Sequence, residues 1–325
     1  MSRKILWILL AIVLLAIISF LLLPKLSPET FCRIFQSMQK NPETDSAARQ
    51  DGVSVLKDIS YESRYPNNQL DIYLSPENRG TIFHIHGGGY VIGDKESADA
   101  APYLEQWLAE GFNVVRTNYA LAPEYRYPTA IMQVFESWCY FVDTADQYDV
   151  DPQKTVLMGN SAGAQLAGQL ALILTDPAYA EQMGIPAEEI PNVRPLAFVS
   201  TSGLLDMPRF GKTDSAVMNF IFEPMAVSTF DNKQYAASEE AKQASVLQNV
   251  SEDFLPTFLS DGNTGTFTDQ AREMETVLQQ KGVLFDSMIP EDSEGSFGHD
   301  WELKVETPLA QELFTKQLAF IENLL

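Results

Sequence analysis

Cysteine, histidine and basic residues are all scarce in this sequence. Among its 325 residues are two cysteines, Cys32 and Cys139, which permit at most one disulfide and offer no C-x-x-C spacing for a metal. Lys and Arg number 22 against 44 Asp and Glu, a formal net charge of −22. That excess opposes binding to phosphate backbones and anionic lipid surfaces and argues against nucleic acid as a partner. Residues 1–28 hold Arg3, Lys4 and Lys25 and no carboxylate, so the acidity belongs to the remainder of the chain. Internal repeats and low-complexity tracts are missing too. With 45% hydrophobic and 11% aromatic residues the chain can bury a large core, which excludes disorder, a collagen-like repeat and a disulfide-stapled mini-protein. The length admits two domains or one large α/β domain.

What is present begins with an apolar run. From Ile5 to Leu23 the only polar side chain is Ser19, and at about 1.5 Å per residue the run nearly matches a hydrocarbon core of about 30 Å. A cleaved signal peptide would carry a shorter apolar stretch, roughly 7–15 residues, ending in a small-x-small site. The segment LLLPKLSPETF contains none, and Glu29-Thr30-Phe31 before Cys32 is not a lipoprotein signal. A buried core helix would need a polar face. The run therefore predicts an uncleaved anchor over residues 1–25, contacting a lipid bilayer through Ile5 to Leu23. Arg3 and Lys4 outweigh Lys25 across the span, which favours a cytoplasmic N-terminus and a domain outside the cytoplasm.

Residues 26–52 are polar, with Phe31, Ile34, Phe35 and Met38 at helical spacing, and read as a stalk carrying a short amphipathic helix. Residues 53–325 read as one domain. It opens with a hairpin, SVLKDISYES and QLDIYLS, around Pro66, Asn67 and Asn68. Strands are then expected at 81–86, 113–117, 155–158, 196–201, 257–260 and 283–289. Helices are expected at 100–110, 130–143, 162–174, 269–281 and 308–325. Strands alternating with helices predict an α/β fold with a mostly parallel sheet covered on both faces. Residues 207–247 exceed any ordinary αβ loop of about 2–6 residues and carry Phe210, Phe220, Ile221, Phe222, Met225 and Phe230. They read as a helical cap-like insertion, forming a lid or acyl-pocket wall or simply a packed subdomain.

Between the strand at 155–158 and the following helix stands Gly159-Asn160-Ser161-Ala162-Gly163. This is G-x-S-x-G in a strand–turn–helix setting, where small residues two before and two after the serine allow a strained turn that lifts its Oγ above the sheet. Serine also caps helices, but a cap does not explain glycines on both sides. Some 75 residues earlier the strand at 81–86 ends in His86-Gly87-Gly88-Gly89-Tyr90. The glycines free the backbone to present amides to a developing oxyanion, with Gly88, Gly89 and Ala162 the natural donors. A phosphate-binding loop is the rival reading, but the chain has no G-x-x-x-x-G-K-S/T and is strongly acidic.

With these pieces, and with Asn118-Tyr-Ala-Leu-Ala-Pro-Glu124 and Ser202-Gly-Leu-Leu-Asp206, the chain resembles the hormone-sensitive-lipase-like carboxylesterase and acetyl esterase branch of the α/β-hydrolase superfamily over roughly residues 55–325. The anchored layout is also similar to that of the arylacetamide deacetylases. The resemblance implies the α/β-hydrolase fold and an order of nucleophile, acid and histidine along the chain. Of the three histidines, His84 lies inside a strand and His86 opens the glycine loop, which leaves His299 as general base. Imidazole suits that work at neutral pH. The acid departs from the pattern. The family's G-x-x-D-x-L-x-D puts Gly262 and Asp269 in register but places Gly265 where the carboxylate belongs. Asp261 is the first substitute, because a carboxylate at a buried strand end is costly without a purpose. Asp269, expected to cap the next helix, and Asp206 are alternatives, with Glu291, Asp292 and Glu294 nearby and outright absence of the acid also open.

The expectation is a membrane-anchored serine carboxylesterase hydrolysing short, acetyl-type esters, with a small-molecule ester as substrate and no metal or organic cofactor. An amidase or peptidase on the same fold is one alternative. A non-catalytic binding protein with a degenerate triad, suggested by Gly265, is the other. Oligomeric state is not legible.

Overall fold

A computed structural model describes residues 22–38 and 52–325. All but the last two residues of the run from Ile5 to Leu23 lie outside the described residues. Among the described residues no helix is long and apolar enough to cross a membrane.

The elements that matter are α1 (Pro28–Met38), β1 (Ser54–Ser60), β2 (Gln69–Leu74), β3 (Thr81–Ile85), α2 (Ala101–Ala109), β4 (Asn113–Thr117), α3 (Thr129–Thr144), β5 (Thr155–Asn160), α4 (Ala162–Thr175), β6 (Ala197–Thr201), α5 (Ala216–Phe230), β7 (Thr257–Ser260), α6 (Thr268–Lys281), β8 (Phe285–Met288) and α7 (Pro308–Glu322). Eight strands form one sheet in the order β1-β2-β4-β3-β5-β6-β7-β8. The hairpin β1–β2 and the β2–β4 pair are antiparallel, and every pair from β4 to β8 is parallel. Every residue of β3 to β6 is buried, as expected where helices cover both faces. One face carries α3, α4 and α6 and the other α2 and α7, giving two apolar cores divided by the sheet.

This winding creates the crevice. The chain leaves β3 toward α2 on one face, and leaves its neighbour β5 toward α4 on the opposite face. The carboxyl ends of adjacent strands therefore diverge, which is where open α/β sheets bind ligands. The glycine loop follows β3 and Ser161 follows β5.

Two readings of the sequence need correction. The segment read as a stalk carries its helix docked on the domain: in α1, Phe31 and Cys32 are buried and Cys32 Sγ lies 3.3 Å from Ser228 Oγ of α5. Phe31 also meets Phe220 edge-on at 5.7 Å, whereas Ile34 and Met38 face solvent. Asp269, expected as a helix cap, instead lies in the first turn of α6, one residue after its start. Both cysteines are free thiols.

Candidate active site

Ser161 occupies the turn between β5 and α4 with φ 53° and ψ −121°, a positive-φ conformation that a side-chain-bearing residue holds only when its surroundings enforce it. They do. Its amide donates to Thr201 O at 2.9 Å, and the flanking glycines admit no side chain. A Cβ on Gly159 would stand 2.3 Å from the carbonyl carbon of Gly163, and one on Gly163 only 2.0 Å from Ile85 O. The sequence pattern is thus a packing requirement between the turn and β3.

The loop after β3 is equally constrained. Gly88 and Gly89 have φ of 112° and 59°, so successive amides turn out of the strand direction. A Cβ on Gly89 would meet Met225 Sδ of α5 at 2.5 Å. Asn160 ties this loop to the far side of the crevice: its Oδ1 accepts Gly87 N–H at 3.1 Å and its Nδ2 donates to Asp300 Oδ2 at 3.1 Å.

His299 arrives on the loop after β8. That loop is fastened to the one after β7 by the amides of Asn263 and Thr264, which both donate to Phe297 O, at 2.9 and 3.1 Å. His299 Nε2 lies 2.8 Å from Ser161 Oγ. Phe222 of α5 and Phe267 meet the imidazole edge-on at 5.5 and 5.4 Å. The insertion thus reaches the site through Phe222, which meets the imidazole, and Met225, which stands beside Gly89.

The other imidazole nitrogen, Nδ1, meets a hydroxyl. Thr266 Oγ1 is 2.9 Å from it and donates to Asp261 Oδ1 at 2.6 Å. Asp261 is wholly buried at the end of β7, and Gly262 N–H also donates to its Oδ1, at 2.7 Å. Burial, reinforced by the charge of Glu302, holds its carboxyl well above the usual range. Asp261 is therefore brought into the site one hydroxyl away from the imidazole. At Gly265 the backbone has φ +65°, and a Cβ there would face Ser215 and Met218 at 3.3 Å.

The remaining candidate acids are not brought together with His299. Asp206 accepts from Arg209 Nε at 2.5 Å and Ser245 Oγ at 2.7 Å, and Asp269 accepts from Arg209 Nη1 at 3.0 Å. Glu291 caps a short helical turn and pairs with Arg272. The other two histidines are buried: desolvation drives His84 well below its ordinary value and His86 down to about 4. His86 Nδ1 sits 2.7 Å from Gly87 O and the ring stacks on Tyr119 at 4.2 Å, bracing the glycine loop.

Sequence reasoning missed four residues here: Asn160, Thr266, Asp300 and Glu302. Asp300 Oδ2 is 3.9 Å from His299 Nε2, beyond hydrogen-bond reach and on the serine side of the ring. Glu302 is wholly buried, takes hydrogen bonds from Ser202 N and Oγ at 3.1 and 2.8 Å, and is pushed up to about 8 by burial and then by Asp300. The acids flanking Trp301 were visible as HDWE, but nothing in the pattern marked them as buried. Among the described residues no cluster of His, Cys, Asp and Glu is arranged to hold a metal ion.

A family model, BD-FAE, matches residues 70–277, more than half of the chain, and the chain belongs to that family. The structure is similar to esterase B from Lactobacillus rhamnosis, with a TM-score of 0.72 and 20% identity over 95% of this chain and 96% of that one. It is similar also to a bacterial heroin esterase, with a TM-score of 0.64 and 20% identity over 90% and 88% of the chains. Esterase LipW from Mycobacterium marinum gives a TM-score of 0.64 and 22% identity over 93% and 89%. The resemblance to α/β-hydrolase carboxylesterases is borne out, and with it the mostly parallel central sheet flanked by helices.

Proposed function

We propose that this member of the BD-FAE family is a serine carboxylesterase that hydrolyses short-chain, acetyl-type esters through an acyl-enzyme. The observation that carries the reading is Ser161 Oγ at the apex of a strained turn, 2.8 Å from His299 Nε2. Ser161 Oγ attacks the ester carbonyl carbon while His299 Nε2 takes its proton. The negative charge that develops on the carbonyl oxygen is met by the amides of Gly88, Gly89 and Ala162, whose contribution is on the order of 3 kcal/mol per donor. His299 then protonates the departing alkoxide. Water attacks the acyl-enzyme by the same route in reverse, freeing the acid and restoring the serine. The short-acyl reading is supported by Met225 and Phe222, which crowd the space beside Gly89 and His299. The similar esterase B was solved with a C4-C4 tributyrin phosphonate and with a C6-C4 inhibitor. The run from Ile5 to Leu23 anchors the enzyme in a bilayer with its domain outside the cytoplasm, a reading supported by its length and flanking charges.

The decisive experiment is Ser161→Ala. Turnover of p-nitrophenyl acetate is expected to fall by about 10⁵-fold or more, with an unchanged melting curve, and fluorophosphonate labelling is expected in the wild type alone. An unlabelled wild type would instead favour a binding protein, and faster turnover of acetanilide or peptides than of the ester an amidase. Carbonate-resistant membrane association of the full chain tests the anchor.

A further inference from the structure

We infer that Thr266 is the positioning residue for the base, its hydroxyl standing between His299 Nδ1 and Asp261 where a carboxylate ordinarily touches the imidazole. The inference rests on the serine hydrolase reading above. A hydroxyl has one proton to give. Thr266 gives its proton to Asp261 Oδ1 at 2.6 Å, the oxygen that also receives Gly262 N–H at 2.7 Å. Toward His299, 2.9 Å away, Thr266 Oγ1 is then left only lone pairs. Nδ1 must therefore carry the imidazole proton, which leaves Nε2 bare and facing Ser161 Oγ. The donors run in one direction, from Ser161 through His299 and Thr266 to Asp261, so each bond polarises the next.

The backbone explains why residue 266 and not 265 does this. Gly265 donates its amide to Asp214 Oδ1 at 2.6 Å and turns with φ +65°, so a side chain there would face the insertion at Ser215 and Met218. The next residue then faces the imidazole. Thr266 is 3% exposed, and its β-branch restricts the side chain to few rotamers. When His299 takes the serine proton, its Nδ1–H stays on Thr266 Oγ1, and the positive charge is met by a polarised hydroxyl instead of an adjacent carboxylate. Nothing is transferred to Asp261.

The test compares Thr266→Val with Thr266→Ser in the full chain. Val is expected to lower kcat for p-nitrophenyl acetate about 10²–10³-fold, less than the roughly 10⁴-fold that loss of tautomer control costs a Ser-His-Asp triad because a neutral hydroxyl and not a carboxylate is removed, whereas Ser, which keeps the hydroxyl, stays within about threefold. The acid limb of the pH–rate profile should also move to lower pH in Thr266→Val, because the imidazolium has lost the acceptor that stabilises it. Asp261→Ala added to Thr266→Val should cost little more than Thr266→Val alone, since the two act as one unit. Val retaining wild-type rate and pH profile, Ser as impaired as Val, or full additivity each overturn the relay. A readout that needs no variant is the ¹⁵N shift pattern of His299 at alkaline pH in the wild type: the Nδ1–H tautomer is expected, and the Nε2–H tautomer refutes it. Failure of the wild type to label at Ser161 would sink the hydrolase reading instead, which keeps the two failures apart.

Discussion

Replacing Glu302 with Gln removes a buried acid while retaining an oxygen that can hold Ser202 N–H. Glu302 is pushed from 4.5 up to about 8, so the folded chain holds a proton there that the unfolded chain releases near pH 4.5. A group with a raised folded pKa gives its full stabilisation below the unfolded value and loses it as pH rises through the folded one. The window is therefore about pH 4.5 to 8, and stability declines across it. At about pH 6 the loss equals roughly 1.5 pH units of proton linkage and at about pH 9 roughly 3.5, a difference on the order of 2–3 kcal/mol at about 1.36 kcal/mol per unit. Asp261 and Asp300 are also raised by burial and add slope of the same sign. Glu302→Gln relieves Asp261 further by removing a neighbouring charge. Urea unfolding at about pH 6 and pH 9 should show the wild type losing on the order of 2–3 kcal/mol more between them than Glu302→Gln does. Equal losses in both proteins would refute the reasoning.

Two further substitutions test how the crevice is held open. Asn160→Ala severs the link between Gly87 and Asp300 and strands both groups, which should lower stability by about 1–3 kcal/mol and kcat by about tenfold with KM little changed; steady-state kinetics showing an unaltered kcat would reject the clamp. Gly89→Ala pushes a methyl against Met225 Sδ and displaces one oxyanion donor, so kcat should fall about 10²–10³-fold. Combining it with Met225→Ala should restore part of that loss, and no recovery would mean that backbone strain alone is responsible.

The strand ends that carry Ser161 and the glycine loop were legible because close packing there constrains the backbone. Gly159 and Gly163 announce a turn pressed against β3, and Gly87 to Gly89 announce amides turned out of a strand. The strand read as 155–158 continues through Gly159 and Asn160, which pair with Ser200 and Thr201 of β6; neither residue type favours strands, and the register of the neighbouring strand overrides their preference. Asp261 was legible through the cost of burying a carboxylate. Thr266 was not, because a hydroxyl acquires a role only from the atoms within about 3 Å of it. The docked face of α1 was hidden for a related reason. Spacing put Phe31, Ile34, Phe35 and Met38 on one stripe, but α5 lies far along the chain and takes Phe31 and Cys32 while leaving Ile34 and Met38 in water.

The docking of α1 also sets an order of assembly. Cys32 meets the carbonyl of Pro224 across a separation of 192 residues, and at ribosomal speeds of about 5–20 residues per second that interval lasts roughly 10–40 s. Helix α1 must wait, its Phe31 face uncovered, until the helix that receives it has been synthesised. The segment that walls the serine through Phe222 and Met225 is thus backed, at Pro224 and Ser228, by a helix synthesised about 190 residues ahead of it, and a factor that shields that face during translation would act on a piece that is finished early and placed late.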